Sequence, residues 1–471
     1  MKMVFTLLVI FYLLTILCVV FLERKSPTEA LLWVVVLICL PYLGLILYLI
    51  FGSTMGIKLT AYARKKRLER HHPIPAPETV SDLSGKELSE EDRQVIRFNT
   101  TYNHSQLTCY QETRLFTAGK EHYQQLFADI AAAKECIYIE FYTIHPDEVG
   151  QALVEALTKK AEEGVTVLVL CDFIANVSTP AKMFRPLRQA GGKVVRIKPF
   201  LTHYRSHRKI VVIDHKISYI GGMNIGRKYV NMDRVKNPWR DTQVRMVGPC
   251  AAILDEYFLR DWLCSVQRKD WESASAYVDT LPSYRHGELN ENLCQFIVGG
   301  VDTNKESVKM CYLSMIRSAK KSIRIQTPYF IPDVSILDAL KAAAAAGVEI
   351  ELMIPGVKAS FFLDPVTTYY CGELLDYGAK IYKYHGYIHA KTMIVDDELC
   401  CIGSVNMDIR SLKVDDEICG VFYANPIVTE YSGIYDEDIA HCDLYTLEQF
   451  HARSTKERFQ ESFFLMFAPL M

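Results

Sequence analysis

The sequence predicts two tandem α/β domains, related by an internal duplication and preceded by two membrane-spanning helices. Three observations lead there: two long charge-free apolar runs at the start, short β-branched strands alternating with helical stretches from about residue 110, and a repeat of that alternation about 180 residues later. With 471 residues the chain is long enough for about three units, each with its own core.

The apolar runs come first. Residues 3–22 carry no charged side chain, and after Glu23, Arg24, Lys25 and Glu29 a second charge-free run covers 30–57. Each reaches the ~20 residues needed to cross a bilayer, so spans are expected at about 3–22 and 30–51. A cleaved leader fits less well, because no small-x-small site precedes the charges and a second apolar run follows at once. Lys58, Arg64, Lys65, Lys66, Arg67 and Arg70 follow the second run, whereas the loop between the runs balances two basic against two acidic residues. This bias predicts a multi-pass protein of the cell membrane with both termini and the remaining domains on the cytoplasmic side. The basic cluster can also meet anionic headgroups.

Pro73, Pro75 and Pro77 mark an extended connector, and the expected division is 1–70 for the apolar unit with its basic flank, 71–110 for a linker, and 111–300 and 301–471 for two domains. Within the first domain a strand is read around Ile137, Tyr138 and Ile139, a helix over 150–163 and a buried strand over 165–172, the rhythm of a parallel sheet with crossover helices. The second domain repeats it. Ala133-Lys134 matches Ala319-Lys320 and Pro146-Asp147 matches Pro332-Asp333 at an offset of 186, and Gly164-Val165 matches Gly347-Val348 at 183. A period that long fits a duplicated domain rather than a solenoid, and the halves are expected to pack face to face.

The candidate chemistry lies in the most specific part of the repeat. His207, Lys209 and Asp214 are followed by Gly221, Gly222 and Asn224; His389, Lys391 and Asp396 are followed by Gly403, Ser404 and Asn406. Both copies read H-x-K-x4-D-x6-G-[GS]-x-N, 182 residues apart. The apolar run between Lys and Asp reads as a buried strand, and residues two apart project to one side, so each His-Lys pair can share a target. An imidazole beside an ammonium suits a phosphate ester: the ammonium neutralises non-bridging oxygens while the imidazole attacks or transfers a proton. Transfer from one alcohol to another asks for one His as nucleophile and another as acid and base, and the two copies supply both. Glycines let the backbone approach closely, and Asn224 and Asn406 can bond a phosphate oxygen or fix their loops. Asp214 and Asp396 sit at the far end of each strand, where a structural partner and a direct catalyst are both compatible with the pattern.

At these residues the chain resembles the phospholipase D superfamily, whose hallmark is the paired motif, and within it the bacterial cardiolipin synthases. The similarity begins at the apolar runs and includes Tyr138 to Tyr142, Arg205 to Lys209, Trp239 to Thr242, Thr327 to Asp333, Asn406 to Ser411 and the closing Phe467 to Met471. It implies two phospholipase D-like α/β/α sandwich domains with pseudo-two-fold symmetry. It also implies condensation of two phosphatidylglycerol molecules into cardiolipin and glycerol through a phosphatidyl-histidine, with no metal or other cofactor. By the same resemblance His207 is the nucleophile and His389 the acid/base, although the pseudo-symmetry leaves their order open. Lys209, Lys391, Asn224 and Asn406 would cradle phosphate, and Asp241 and Glu417 match the carboxylates that orient the histidines. Departures from the family lie at Ser404, at Arg227-Lys228 and at Asp415-Asp416, near the expected mouth of the site.

The partners expected are phosphatidylglycerol and anionic membrane lipids, not nucleic acid. The net charge of −2 averages an apolar unit of +6 with a remainder of −8, which weighs against a nuclease, the alternative alongside a phospholipase that passes the group to water. The 14 cysteines contain no C-x-x-C and are read as reduced thiols. His203 and His385, four residues before each motif histidine, are read as rim residues, His71-His72 as solvated linker, and Phe463, Phe464, Phe467 and Leu470 as docked core.

Overall fold

A computed structural model describes residues 2–17, 27–71, 83, 86, 88–198, 204–230, 238–278, 289–301, 303, 306–358 and 360–471. The proline connector at 73–77, His72 and His203 lie outside these residues.

The duplication is visible as two mixed sheets of the same strand order. In the first, Cys136–Phe141 runs parallel to Thr166–Asp172, which runs parallel to Lys193–Ile197. On its other side Cys136–Phe141 pairs antiparallel with Ile210–Ile213, which is followed in space by Ile217–Gly221, Gln243–Val247 and Glu112–Phe116. The second sheet repeats this with Ser322–Gln326 at the centre, Glu349–Pro355 and Lys380–Tyr384 parallel to it, and Thr392–Val395, Leu399–Gly403, Glu417–Tyr423 and Leu293–Gly299 on the antiparallel side. Two edge strands are added, Cys442–Tyr445 and Leu107–Cys109. The latter, with the capped helix Glu90–Asn103, falls in the stretch read as linker; its apolar positions Val95, Ile96 and Leu107 pack into the second domain's outer core.

Strand periodicity sets which face each residue serves. Ile210 and Val212 point toward the other domain and join a core shared by both sheets with Ile394, Ile402, Phe422 and the helix Cys250–Ser265. Val211 and Ile213 point outward, under the helices Gly119–Ala132 and Glu148–Glu162. Burial on both faces explains why these strands read as unbroken apolar runs rather than alternating ones.

The N-terminal unit corrects the expectation of two transmembrane helices. Among the described residues no helix is long and apolar enough to cross a membrane. Pro27–Cys39 has 13 residues, roughly 20 Å against a hydrocarbon core of ~30 Å. The second run breaks at Pro41: Leu40 leaves helical space at φ −127°, ψ 69°, as a residue before proline tends to, and a new helix Pro41–Leu47 starts. The two pieces fold back on each other, with the Trp33 and Tyr48 rings edge to face at 5.4 Å and Gly44 on the Val36 carbonyl, where a Cβ would come within 2.6 Å. Hydropathy counted the apolar residues correctly; the proline divided them.

The helix Met55–His71 then docks on the first domain. Lys58, Lys65, Lys66 and Arg70 face solvent, but Arg64 and Arg67 turn inward. Arg67 donates to the carbonyls of Leu263 at 3.2 Å and Val266 at 3.3 Å and lies over the Trp271 ring.

Candidate active site

The two motif histidines stand just before the antiparallel strands Ile210–Ile213 and Thr392–Val395, at the ends that meet across the domain interface. Short crossings between the halves hold them there. The His207 amide donates to Asp416 O at 2.8 Å, and the His389 amide donates to Arg240 O at 2.6 Å, beside a two-residue parallel pairing of Trp239–Arg240 with Tyr387–Ile388. Each half therefore positions the other's histidine.

The carboxylates cross over in the same way. His207 Nδ1 lies 2.9 Å from Glu417 Oε1, and His389 Nδ1 lies 2.6 Å from Asp241 Oδ2, so each imidazole is oriented by an acid of the opposite domain. With Nδ1 engaged by the acid, Nε2 is the nitrogen available for chemistry on both rings. Gly222 and Ser404, the one difference between the motifs' glycine pairs, match these acids. A Cβ at Gly222 would come within 2.1 Å of Asp241 Oδ1, whereas the Ser404 hydroxyl donates to Glu417 Oε2.

The lysines lie beneath. Lys209 and Lys391 are 0% and 1% exposed, and each Nζ donates to the carbonyl of its own motif histidine. Burial pulls Lys209 down to about 7 and Lys391 to about 8, with Glu417 and Asp241 holding part of the charge. Burial and the neighbouring lysines also depress both imidazoles, His207 well below its usual range and His389 to about 3. Burial lifts Glu417 to about 7 against the pull of Lys209 and Ser404. Asp241, equally buried, stays below the usual carboxylate range because Lys391 and His389 outweigh its desolvation. The two His-acid pairs are thus electrostatically unequal. An incoming phosphate diester would favour the charged form of both lysines, which burial disfavours.

Aromatic rings wall it. Tyr142 meets His207 edge-on at 4.8 Å, and Trp239, Tyr229 and Tyr387 surround His389 at 5.1, 6.1 and 5.9 Å. Asn224 fixes this wall rather than facing the lysines, accepting from the Thr143 amide at 3.1 Å and donating to Tyr229 Oη at 2.9 Å. Its counterpart Asn406 has a shielded Oδ1 with no partner among the described residues.

Asp214 and Asp396, expected with the catalytic group, lie elsewhere. Seven positions of extended chain carry each roughly 20 Å from its histidine. There Asp214 accepts from the amides of Lys134 at 2.9 Å, Glu135 at 2.8 Å and Cys136 at 3.1 Å. Asp396 does the same for Lys320 and Lys321 at 2.7 Å and Ser322 at 2.8 Å. At φ 51° and 55° both adopt the left-handed conformation that Asp tolerates, and both tie a turn to the start of the central strand.

Sequence reasoning missed the buried ionic group behind His207. Arg208, between His and Lys, donates to Asp261, to Gly299 O at 2.6 Å and to Glu417 O at 3.2 Å. Arg64 reaches the same group from the N-terminal helix, donating to Asp416 Oδ2 and Tyr204 Oη at 2.7 Å and to Asp261. The only signal was a basic residue on an otherwise solvated flank. His385 is exposed, with Nε2 3.0 Å from Asp443. Phe464 is docked, but Phe463 and Phe467 remain 43% and 40% exposed. Among the described residues no cluster of three or more His, Cys, Asp or Glu is arranged to hold a metal ion.

A pseudo-symmetric pair of His-Lys motifs, joined across two α/β domains, defines a phospholipase D-type phosphotransferase. The family model described as cardiolipin synthase, PLD-like domain, matches residues 126–262 and 312–439, and one described as phospholipase D-nuclease N-terminal matches 6–53. The chain is 34% identical to the major cardiolipin synthase ClsA of Bacillus subtilis (strain 168), covering 99% of both chains. It is also 34% identical to a cardiolipin synthase of Listeria welshimeri, over 96% of this chain and 95% of that one. Among solved structures, phosphatidylserine synthase of Haemophilus influenzae shares the fold, with a TM-score of 0.61 at 14% identity over 80% of this chain and 97% of that one. The chain belongs to the cardiolipin synthase family of phospholipid phosphatidyltransferases.

Proposed function

We propose that this enzyme condenses two phosphatidylglycerol molecules into cardiolipin and glycerol, with His207 as nucleophile and His389 as acid and base. The observation that carries the order is the inequality of the two His-acid pairs. His389 faces the acid that stays ionised, 2.6 Å away, which stabilises an imidazolium; His207 faces the acid lifted to about 7 and is neutral and nucleophilic.

In the first step His207 Nε2 attacks phosphorus, the P–O bond to glycerol breaks, and His389 protonates the departing alkoxide. Lys209 and Lys391 neutralise the non-bridging oxygens. In the second step a hydroxyl of another phosphatidylglycerol loses its proton to His389 and attacks phosphorus, and the P–N bond breaks. Arriving with a negative charge, the diester restores the proton affinity that burial and the lysines remove from His389.

Contact with a lipid surface fits the apolar side chains left exposed on the N-terminal helices, among them Leu7, Phe11, Leu14, Leu31, Ile38 and Leu43. Lys65, Lys66 and Arg70 project nearby to meet anionic headgroups. The test is product analysis with labelled phosphatidylglycerol in vesicles. Cardiolipin and free glycerol in equal amounts are expected, with loss of both in His207→Ala and His389→Ala; phosphatidic acid as the main product would overturn the proposal.

A further inference from the structure

Beside the paired motifs lies an open cavity of about 500 Å³, lined by His145, Pro146, Asp147, Glu148, Gln151, Arg227 and Lys228. Lys228 joins it to the reaction site. Its ammonium lies over the Trp239 ring at 4.4 Å and near the Tyr229 ring at 5.2 Å, and those rings stand 5.1 and 6.1 Å from the His389 ring. One indole therefore separates this cation from the acid/base.

The ammonium is half-buried and, among the described residues, has no hydrogen-bond or carboxylate partner. The charges of Asp241 and Asp147 reach it, but both acids are engaged elsewhere, Asp241 with His389 Nδ1 at 2.6 Å. Asp147 accepts from the amides of Val149 at 3.2 Å, Gly150 at 3.1 Å and Arg227 at 2.8 Å, and Glu148 is exposed and faces Arg227 at 3.9 Å. His145 Nε2, on the same wall, is shielded and has no hydrogen-bond partner among the described residues, and burial together with Lys228 lowers the proton affinity of its ring. A half-buried cation over aromatic faces, with no carboxylate in contact among the described residues, marks a place where an anion from outside is stabilised.

The chemistry supplies one. In the second step of the proposed reaction the acceptor brings two polar ends, the attacking hydroxyl and its own phosphate diester, joined by the glycerol carbons. Lys209 and Lys391 are committed to the phosphorus under attack, so the acceptor's phosphate needs a different cation, close to His389. We infer that the Lys228 cavity binds the phosphate diester of the acceptor lipid, with Lys228 as the principal contact and Gln151 available to the glycerol hydroxyls. The cavity thereby selects acceptors that carry a phosphate beside the attacking hydroxyl over simple alcohols. This rests on the phosphatidyltransfer proposed above and names its second substrate site.

Two assays on the same vesicles of phosphatidylglycerol separate the steps. Exchange of labelled glycerol into phosphatidylglycerol uses an acceptor without phosphate; condensation to cardiolipin uses one with it. In Lys228→Ala the ratio of condensation to exchange falls by about tenfold, the size of a lost charge-assisted hydrogen bond, with a raised KM for phosphatidylglycerol in condensation, and Lys228→Arg restores most of the ratio. An unchanged ratio, whether both rates fall together or neither falls, would overturn the inference. A wild-type enzyme that performs neither reaction would instead sink the phosphatidyltransfer proposal itself.

Discussion

Replacing each cross-domain acid by its amide tests the inequality between the two His-acid pairs. Glu417→Gln and Asp241→Asn are nearly isosteric, so ring positions are kept and only the charge facing Nδ1 is lost. A charge-assisted hydrogen bond contributes about 1.5–3 kcal/mol, equal to roughly a tenfold to 150-fold change in rate. Glu417 titrates at about 7, so only about a tenth of it is ionised at pH 6 and about nine tenths at pH 8. The wild-type to Glu417→Gln rate ratio is therefore about 2 to 16 at pH 6 and about 9 to 135 at pH 8, a rise of roughly five- to ninefold. Asp241 is held below the usual carboxylate range, so the ratio for Asp241→Asn is tenfold or more at both pH values. Initial rates of cardiolipin formation from labelled phosphatidylglycerol vesicles, at constant ionic strength between pH 5.5 and 8.5, give both curves. Parallel curves, or a flat one for Glu417→Gln with a rising one for Asp241→Asn, would refute the reasoning.

Gly222→Ala places a methyl 2.1 Å from Asp241 Oδ1 and must displace that acid from His389; kcat is expected to fall at least tenfold with KM little changed, and a wild-type kcat would contradict the contact. Asp214→Asn weakens the acceptor for the amides of Lys134, Glu135 and Cys136, and is expected to cost about 1–3 kcal/mol in a denaturant melt while the folded enzyme keeps its kcat. A loss of kcat matching that of His207→Ala would return Asp214 to the catalytic group. Arg64→Met strips a buried partner from Asp416 and Asp261 and is expected to destabilise the folded enzyme by about 3–5 kcal/mol, read as a lowered melting temperature; an unchanged melt would show that the N-terminal helix is not anchored there.

The sequence by itself determined the duplication, the sheet rhythm and the four residues at the centre of the candidate site, because two copies of one spacing report a strand that places His and Lys side by side. It also held the proline that divides the second apolar run, but composition over a window does not register where a single residue breaks the helix. Only the tertiary structure decided what faces what. Asp214 and Asp396 close the motif in the chain yet lie at the other end of the strand, since extended residues separate in space as fast as in sequence. Asp241 and Glu417 were legible as the orienting acids, but a two-fold repeat is equally compatible with each serving its own half or the other's. Packing the two sheets face to face brings the opposite half's acid within hydrogen-bond reach of each imidazole, at 2.6 and 2.9 Å. The two His-acid pairs therefore exist only once both domains have folded and met, which no spacing along one chain encodes.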